Sequence, residues 1–137
     1  MRANWKEVQT DTERGKWAAM RVTLNARGDL AMSAVTWERM GSPAAFVVLF
    51  DGVNNRIGLK PAERTTRNAF RCSRRGRYGA KVLRVYRLIV DHRIDLTETL
   101  EFFNPARDED GILVLDLRTA KLSARAAAFK KRPARNT

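Results

Sequence analysis

Residues 21–60 read RVTLNARGDLAMSAVTWERMGSPAAFVVLFDGVNNRIGLK, and the punctuation within this stretch decides the fold. Arg21 to Arg27 alternates polar or basic residues with Val22, Leu24 and Ala26, the period of a half-buried strand. Gly28-Asp29 reads as a turn, and Leu30-Ala-Met32 resumes extended structure. Ser33 or Ala34 opens a short helix through Val35, Trp37 and Met40, which Gly41 stops, with Pro43 just beyond. Ala45–Phe50 is an apolar, β-rich run. Asp51-Gly-Val-Asn-Asn55 is a turn cluster, Arg56–Lys60 is the returning strand, and Pro61 ends it.

The second half follows the same plan. Phe70-Arg-Cys-Ser73 alternates outward polar and inward apolar residues, which places Arg71 and Ser73 on one face, and Arg74-Arg-Gly-Arg77 makes the turn. A longer helical stretch carries Val82, Val85/Tyr86, Ile89 and Ile94. Leu100–Phe103 and Ile112–Leu117 read as the strands of a hairpin around the acidic turn Pro105–Gly111, the second of them apolar on both faces and hence central. Asn25-Ala-Arg-Gly-Asp-Leu30 and Ser73-Arg-Arg-Gly-Arg-Tyr78 occupy the same place in each half. Internal duplication is therefore the main organisational signal. It divides the chain into an N-terminal arm (1–19), a first unit (20–62), a second unit with a basic face (63–118) and a basic C-terminal tail (119–137). The fold class expected is mostly β with short helices.

The strand, Arg-Gly turn, short extended segment, Gly-terminated helix and hairpin of RVTLNARGDLAMSAVTWERMGSPAAFVVLFDGVNNRIGLKPA resemble the swapped-hairpin domain of the AbrB and SpoVT family of bacterial transcription regulators. Two such units in tandem are similar to the MraZ-type arrangement. The resemblance implies an interleaved, swapped-hairpin-like β-barrel with a pseudo-twofold axis. It also implies contact with DNA through basic side chains around the first strand, turn and helix of each unit. By position these are Arg21, Arg27 and Arg39 in the first unit, and Arg71, Arg74, Arg75, Arg77, Lys81 and Arg84 in the second.

Charge points the same way without any family. The 137 residues hold 27 Lys+Arg against 15 Asp+Glu, a net +12, and arginine far outnumbers lysine. A strongly basic balance is the electrostatic footprint of a polyanion binder, and the guanidinium fork suits phosphate and guanine edges. The charge is unevenly placed: net +2 over residues 1–59, +9 over 60–93, −6 over 94–117 and +7 over 118–137. Arg71, Arg74, Arg75, Arg77, Lys81, Arg84 and Arg87 form the sharpest cluster, with no acidic residue among them. Lys81 and Arg84 at i+3, joined by Arg87, would share a helix face. The competing reading is a solvated basic face with no partner. In the tail, Leu122, Ala126 and Phe129 at helical spacing precede Lys130-Lys131-Arg132, which would clamp phosphates as basic arms do.

Other residues carry less. His92, the only histidine, has no HExxH, CxxC or Ser-His-Asp pattern around it and reads as a surface or helix-end residue. Cys72, the only cysteine, reads as a small core residue. Asp108-Glu-Asp110 reads as a solvated turn rather than a metal site, and Gly76 and Gly79 as turn glycines rather than a phosphate loop. Trp5 and Trp17 would either stack on bases or pin the arm to the body. The N-terminal residues lack a signal peptide's apolar segment, and no apolar run is long enough to span a bilayer. The expectation is a cytoplasmic, non-enzymatic, cofactor-free nucleic-acid binder without membrane contact, either alone as a homo-oligomer or within a larger nucleoprotein assembly. DNA is the expected partner. RNA, or an acidic surface of a nucleoprotein complex bound by an adaptor, is the alternative, since both nucleic-acid backbones are phosphate.

Overall fold

The computed structural model describes residues 3–6 and 21–122. In chain order the elements are β1 (Val22–Leu24), β2 (Asp29–Met32), α1 (Ala34–Arg39), β3 (Ala45–Asp51), β4 (Arg56–Ala62), β5 (Ala69–Arg71), β6 (Ser73–Arg75), β7 (Ala80–Arg84), α2 (Tyr86–Asp91), β8 (Leu100–Glu101), β9 (Ala106–Arg107), β10 (Leu113–Asp116) and β11 (Lys121–Leu122). The described residues are thus mostly β with two short helices. Every strand pairing is antiparallel. One sheet has the order β11-β8-β1-β2-β7-β6, the other β5-β3-β4-β10-β9. Among the described residues no helix is long and apolar enough to cross a membrane.

Register explains the core. Residues directly opposite across antiparallel strands share a face. In the six-stranded sheet, Val22↔Met32 and Leu24↔Leu30↔Leu83 align. In the five-stranded sheet, Val48↔Leu59↔Leu113 and Phe50↔Ile57↔Leu115 do so. These two rows meet in a single hydrophobic cluster together with Phe46, Val85, Leu88 and Phe102. Apolar burial of this kind contributes about 25 cal/mol per Å², and it fixes register because a slip of one residue would turn each row to solvent.

In each sheet an adjacent pair of first-half strands, β1-β2 or β3-β4, lies between strands from later in the chain. The centre of the six-stranded sheet is β2 against β7, with Asp29↔Arg84, Leu30↔Leu83, Ala31↔Val82 and Met32↔Lys81. Two glycines mark the contacts between halves. Gly28 lies at φ +84° in the β1–β2 turn, and a Cβ there would sit 2.5 Å from Tyr86 Cα, at the first residue of α2. Gly79 lies at φ +83° in the β6–β7 turn, and its Cβ would sit 3.2 Å from Ala34 Cβ, at the first residue of α1. Each turn glycine therefore packs on the start of the other half's helix.

Several expectations from the sequence are corrected. β1 stops at Leu24, the first turn runs over Asn25–Gly28, and Asp29 already belongs to β2. Arg74 and Arg75 are in strand β6 rather than in the turn, which is Gly76–Gly79. The longer second helix does not form: residues 80–84 pair as β7 with both β2 and β6, and α2 has six residues, as α1 does. Arg71 and Ser73 do not share a strand face, because Cys72 separates β5 in one sheet from β6 in the other. β4 runs on through Pro61 to Ala62. The second hairpin is split: β8 pairs with β1 and β11, while β10 pairs with β4 and β9. Asn104, at φ +49°, and Pro105, which has no N–H to donate, break the strand between them. Leu122 lies in β11 rather than opening a helix; Ala126, Phe129 and the rest of that tail fall outside the described residues, as does Trp17.

The two turn glycines of the Arg-Gly segments separate backbone strain from crowding. Gly28→Ala adds a clash with the Tyr86 backbone to the left-handed conformation. Gly76→Ala, at φ +71° with nothing within 4 Å, adds the conformation alone. Urea unfolding is expected to show a loss of about 1–2 kcal/mol for Gly76→Ala and a further ~1–3 kcal/mol for Gly28→Ala. Equal losses would mean that the turn moves freely away from α2.

Candidate nucleic-acid interface

The β1–β2 turn is built by its own polar side chain. Asn25 Oδ1 accepts from the backbone N–H groups of Arg27 and Asp29, both at 3.0 Å, and Gly28 N–H donates to the Asn25 carbonyl at 3.0 Å. The turn is then tied to the second half: Val85 N–H donates to the Gly28 carbonyl at 2.7 Å. That bond fixes the end of β7, and with it Arg84, beside Asp29.

Asp29 is the hub of the resulting site. Its Oδ1 accepts from Arg84 Nη1 at 2.9 Å, and its Oδ2 lies 3.3 Å from Asn25 Nδ2 and 3.5 Å from Arg27 Nη2. The Asp29 side chain is 12% exposed, whereas those of Arg27 and Arg84 are 81% and 74% exposed. The carboxylate is thus tucked under two solvent-facing guanidiniums. Strand β6 brings Arg74 and Arg75 to the same place from the sheet edge. Together Arg27, Asp29, Arg74, Arg75, Val82, Arg84 and Tyr86 line an open cleft of about 480 Å³. Four arginines and one aspartate are among the lining residues, a net formal charge of +3. Among the described residues no ion pair involves Arg74 or Arg75; Arg74 Nε donates only to the Gly76 carbonyl, at 3.3 Å.

The remaining cations expected at the interface separate into distinct groups. Arg21, just before β1, forms a 2.6 Å ion pair with Glu101, and Glu101 shares the outer sheet face with Thr23. Arg77 is exposed in the β6–β7 turn, one residue from Tyr78, which is 91% exposed. Arg71 is exposed at the edge strand β5 of the other sheet. Lys81 is half-buried on the core-side face, its Nζ 4.4 Å from the centroid of the Trp37 ring; Trp37 Nε1 in turn donates to the Pro43 carbonyl at 2.8 Å. Arg39 closes the last turn of α1. Arg87 is on α2 and pairs with Asp91 one turn later at 3.5 Å. The expected shared helix face of Lys81, Arg84 and Arg87 is therefore corrected: the first two lie in a strand, three residues apart and so on opposite faces. Lys130, Lys131 and Arg132 lie outside the described residues.

Two contributors went unremarked in the sequence. Asp29 looked like turn punctuation, and Tyr86 was counted with the apolar helical positions. Tyr86 is in fact 59% exposed at the cleft wall, while its neighbour Val85 is fully buried. The other singled-out side chains sit elsewhere. Cys72 packs half-buried against the core, and burial pushes its thiol pKa up, away from nucleophilic use. His92 is the C-cap of α2 and stacks on Phe50 at 4.2 Å. Asp108 Oδ1 accepts from the backbone N–H groups of Asp110 and Ile112, so its carboxylate builds the turn. No family model, curated protein or solved structure matches this chain.

The hub role of Asp29 separates it from its more exposed partner. Asp29→Ala is expected to cost about 1–2 kcal/mol, less than the full worth of a charged hydrogen-bond set because Arg27 and Arg84 are largely solvated. Arg27→Ala should leave stability within about 0.5 kcal/mol of the parent. Urea unfolding at low salt checks both, and equal effects would remove Asp29 from the centre of the site.

Proposed function

We propose that this protein binds nucleic acid, as a DNA-binding transcriptional regulator, by neutralising backbone phosphates with an arginine-rich face centred on the Arg27–Arg74–Arg75–Arg84 cleft. The observation that carries the reading is the gathering of four arginines, from the β1–β2 turn and strands β6 and β7, around one open cleft with a single, already shared carboxylate. Like charges brought together by the fold repel one another until an anion neutralises them, and a phosphate backbone does so with release of its counterions. The planar forks suit phosphate oxygens bidentately. Arg77, exposed in the β6–β7 turn, adds a cation beyond the end of β7, and Lys130, Lys131 and Arg132 add phosphate contacts from the tail.

The regulator role rests on the resemblance to the AbrB and SpoVT family. The reciprocal packing of Gly28 on the start of α2 and Gly79 on the start of α1 supports that reading, as does the β2·β7 pair between the halves. A swapped-hairpin-like arrangement belongs to the same proposal: the first hairpin, β3–β4, pairs through β4 with the second half's β10. Phosphate contacts set position without reading sequence, so base readout falls to side chains at the cleft mouth.

Binding to DNA and RNA across a salt series tests the proposal. Log K should fall linearly with log salt, with a slope of roughly 0.9 per neutralised phosphate on duplex DNA. The double reversal Arg74→Glu/Arg75→Glu should weaken binding and lower that slope by about 2. A salt-independent affinity, or binding indifferent to the double reversal, would place the function elsewhere. Tighter binding to RNA of the same length would make RNA the partner.

A further inference from the structure

We infer that the cleft takes an unpaired nucleotide, with its base stacked on Tyr86 and its phosphate held by Arg74 and Arg75, so that single-stranded nucleic acid is the preferred ligand. This rests on the phosphate-binding reading of the cleft, independently of the regulator role, and names what enters it. The first observation is shape. The cationic side chains line an open cleft of about 480 Å³. A duplex presents its phosphates on a convex outside and keeps its bases inside the stack, whereas an unpaired nucleotide can enter a cleft with base and phosphate together.

The second observation is the aromatic wall. Tyr86 is 59% exposed beside the cleft cations, and its backbone is fixed by the close approach of Gly28 and by the Val85–Gly28 hydrogen bond. A rigidly based, solvent-facing ring beside guanidiniums is the pairing that single-strand binders use, because every base has a π-face. Tyr78, 91% exposed next to Arg77, repeats that pairing at the other end of β7.

The third observation comes from the duplicated plan. Tyr86 and Ala34 hold matching places, each the first residue of its helix and each against the other half's turn glycine. Gly28 is approached by the backbone and Cβ of Tyr86, and Gly79 by the Cβ of Ala34. An alanine therefore satisfies this contact in one half. The ring that the other half carries is not needed for that contact, and Tyr86 lines the cleft together with the arginines. Asp29, beneath Arg27 and Arg84, supplies an acceptor at the floor for a base amino group or a sugar hydroxyl.

The experiment measures affinity of the full chain for a single-stranded DNA decamer, the same decamer in RNA, and the blunt duplex, each across a salt series. Tyr86→Ala and Tyr86→Phe are compared with the parent, with folding checked by circular dichroism. The single strand should bind more tightly than the duplex. Tyr86→Ala should lose roughly 5- to 150-fold on the single strand, as expected for one lost stack, with an unchanged salt slope and little change on the duplex. Tyr86→Phe, which keeps the ring, should restore the parent affinity. Tighter duplex binding, or a Tyr86→Ala chain that binds the single strand like the parent, overturns this inference while a steep salt slope keeps the phosphate reading. A flat slope on all three ligands removes both. The DNA and RNA arms identify the sugar.

Discussion

The hydrogen bond from Val85 N–H to the Gly28 carbonyl, with the contact that Gly28 alone permits, joins the two halves of this chain where its charge is gathered. On one side it ends β7, so that Leu83 faces Leu30 and Arg84 faces Asp29. On the other it starts α2 and sets Tyr86 on the rim. Any side chain at position 28 would push the turn and the helix apart and separate Arg27 from Arg84. The core and the candidate site thus share one constraint, and the buried rows on β2 and β7 hold the backbone on which the guanidiniums are displayed.

The first half was largely legible because its signals are local. Asn25-Ala-Arg-Gly closes a turn with its own side chain, Ser33 caps α1 by accepting from Thr36 N–H, and Asp51–Asn55 joins two apolar runs in unbroken register. The second half was less legible because its signals are not local. Val82, Val85 and Ile89 carry helical spacing, yet residues 80–84 become a strand because β2 and β6 both offer edges to pair with. A tertiary partner overrides propensity most easily in a stretch of β-branched residues. Burial of both Val82 and Leu83, neighbours on opposite faces, records that outcome. Arg74-Arg-Gly looked like a turn because three polar residues precede a glycine. Charged residues on an edge strand are equally in keeping with the need to keep that edge from pairing with other chains.

The candidate site divides along the same line. Composition located the basic block, but linear charge density cannot say which cations converge. Lys81 is diverted to the Trp37 ring and Arg87 to Asp91, while Arg27, 47 residues before Arg74, joins the cleft. Asp29 and Tyr86 were missed because their roles depend on partners across the two halves: Arg84 is 55 positions from Asp29, and the turn that fixes Tyr86 lies in the other unit. Aligned on its Arg-Gly turns, the duplication sets Ala34 against Val82 rather than Tyr86, so the sequence held no signal for that tyrosine.

The carboxylate in this cationic cleft has a physical purpose of its own. At roughly 4 Å, two unit charges interact by about 1 kcal/mol in bulk water and about 4 kcal/mol at the effective dielectric of a protein surface. Four arginines lining one cleft with no anion among them would therefore repel one another. Asp29 lowers that repulsion while leaving three positive charges in excess, and its low exposure places it beneath the forks rather than between them and solvent. It also orients Arg27 and Arg84, removing part of the rotamer freedom that a free arginine loses when it grips a phosphate. Arg74 and Arg75, without such a partner, keep their charge fully available at the edge. The cleft thus combines two cations held by a carboxylate with two that no carboxylate among the described residues pairs.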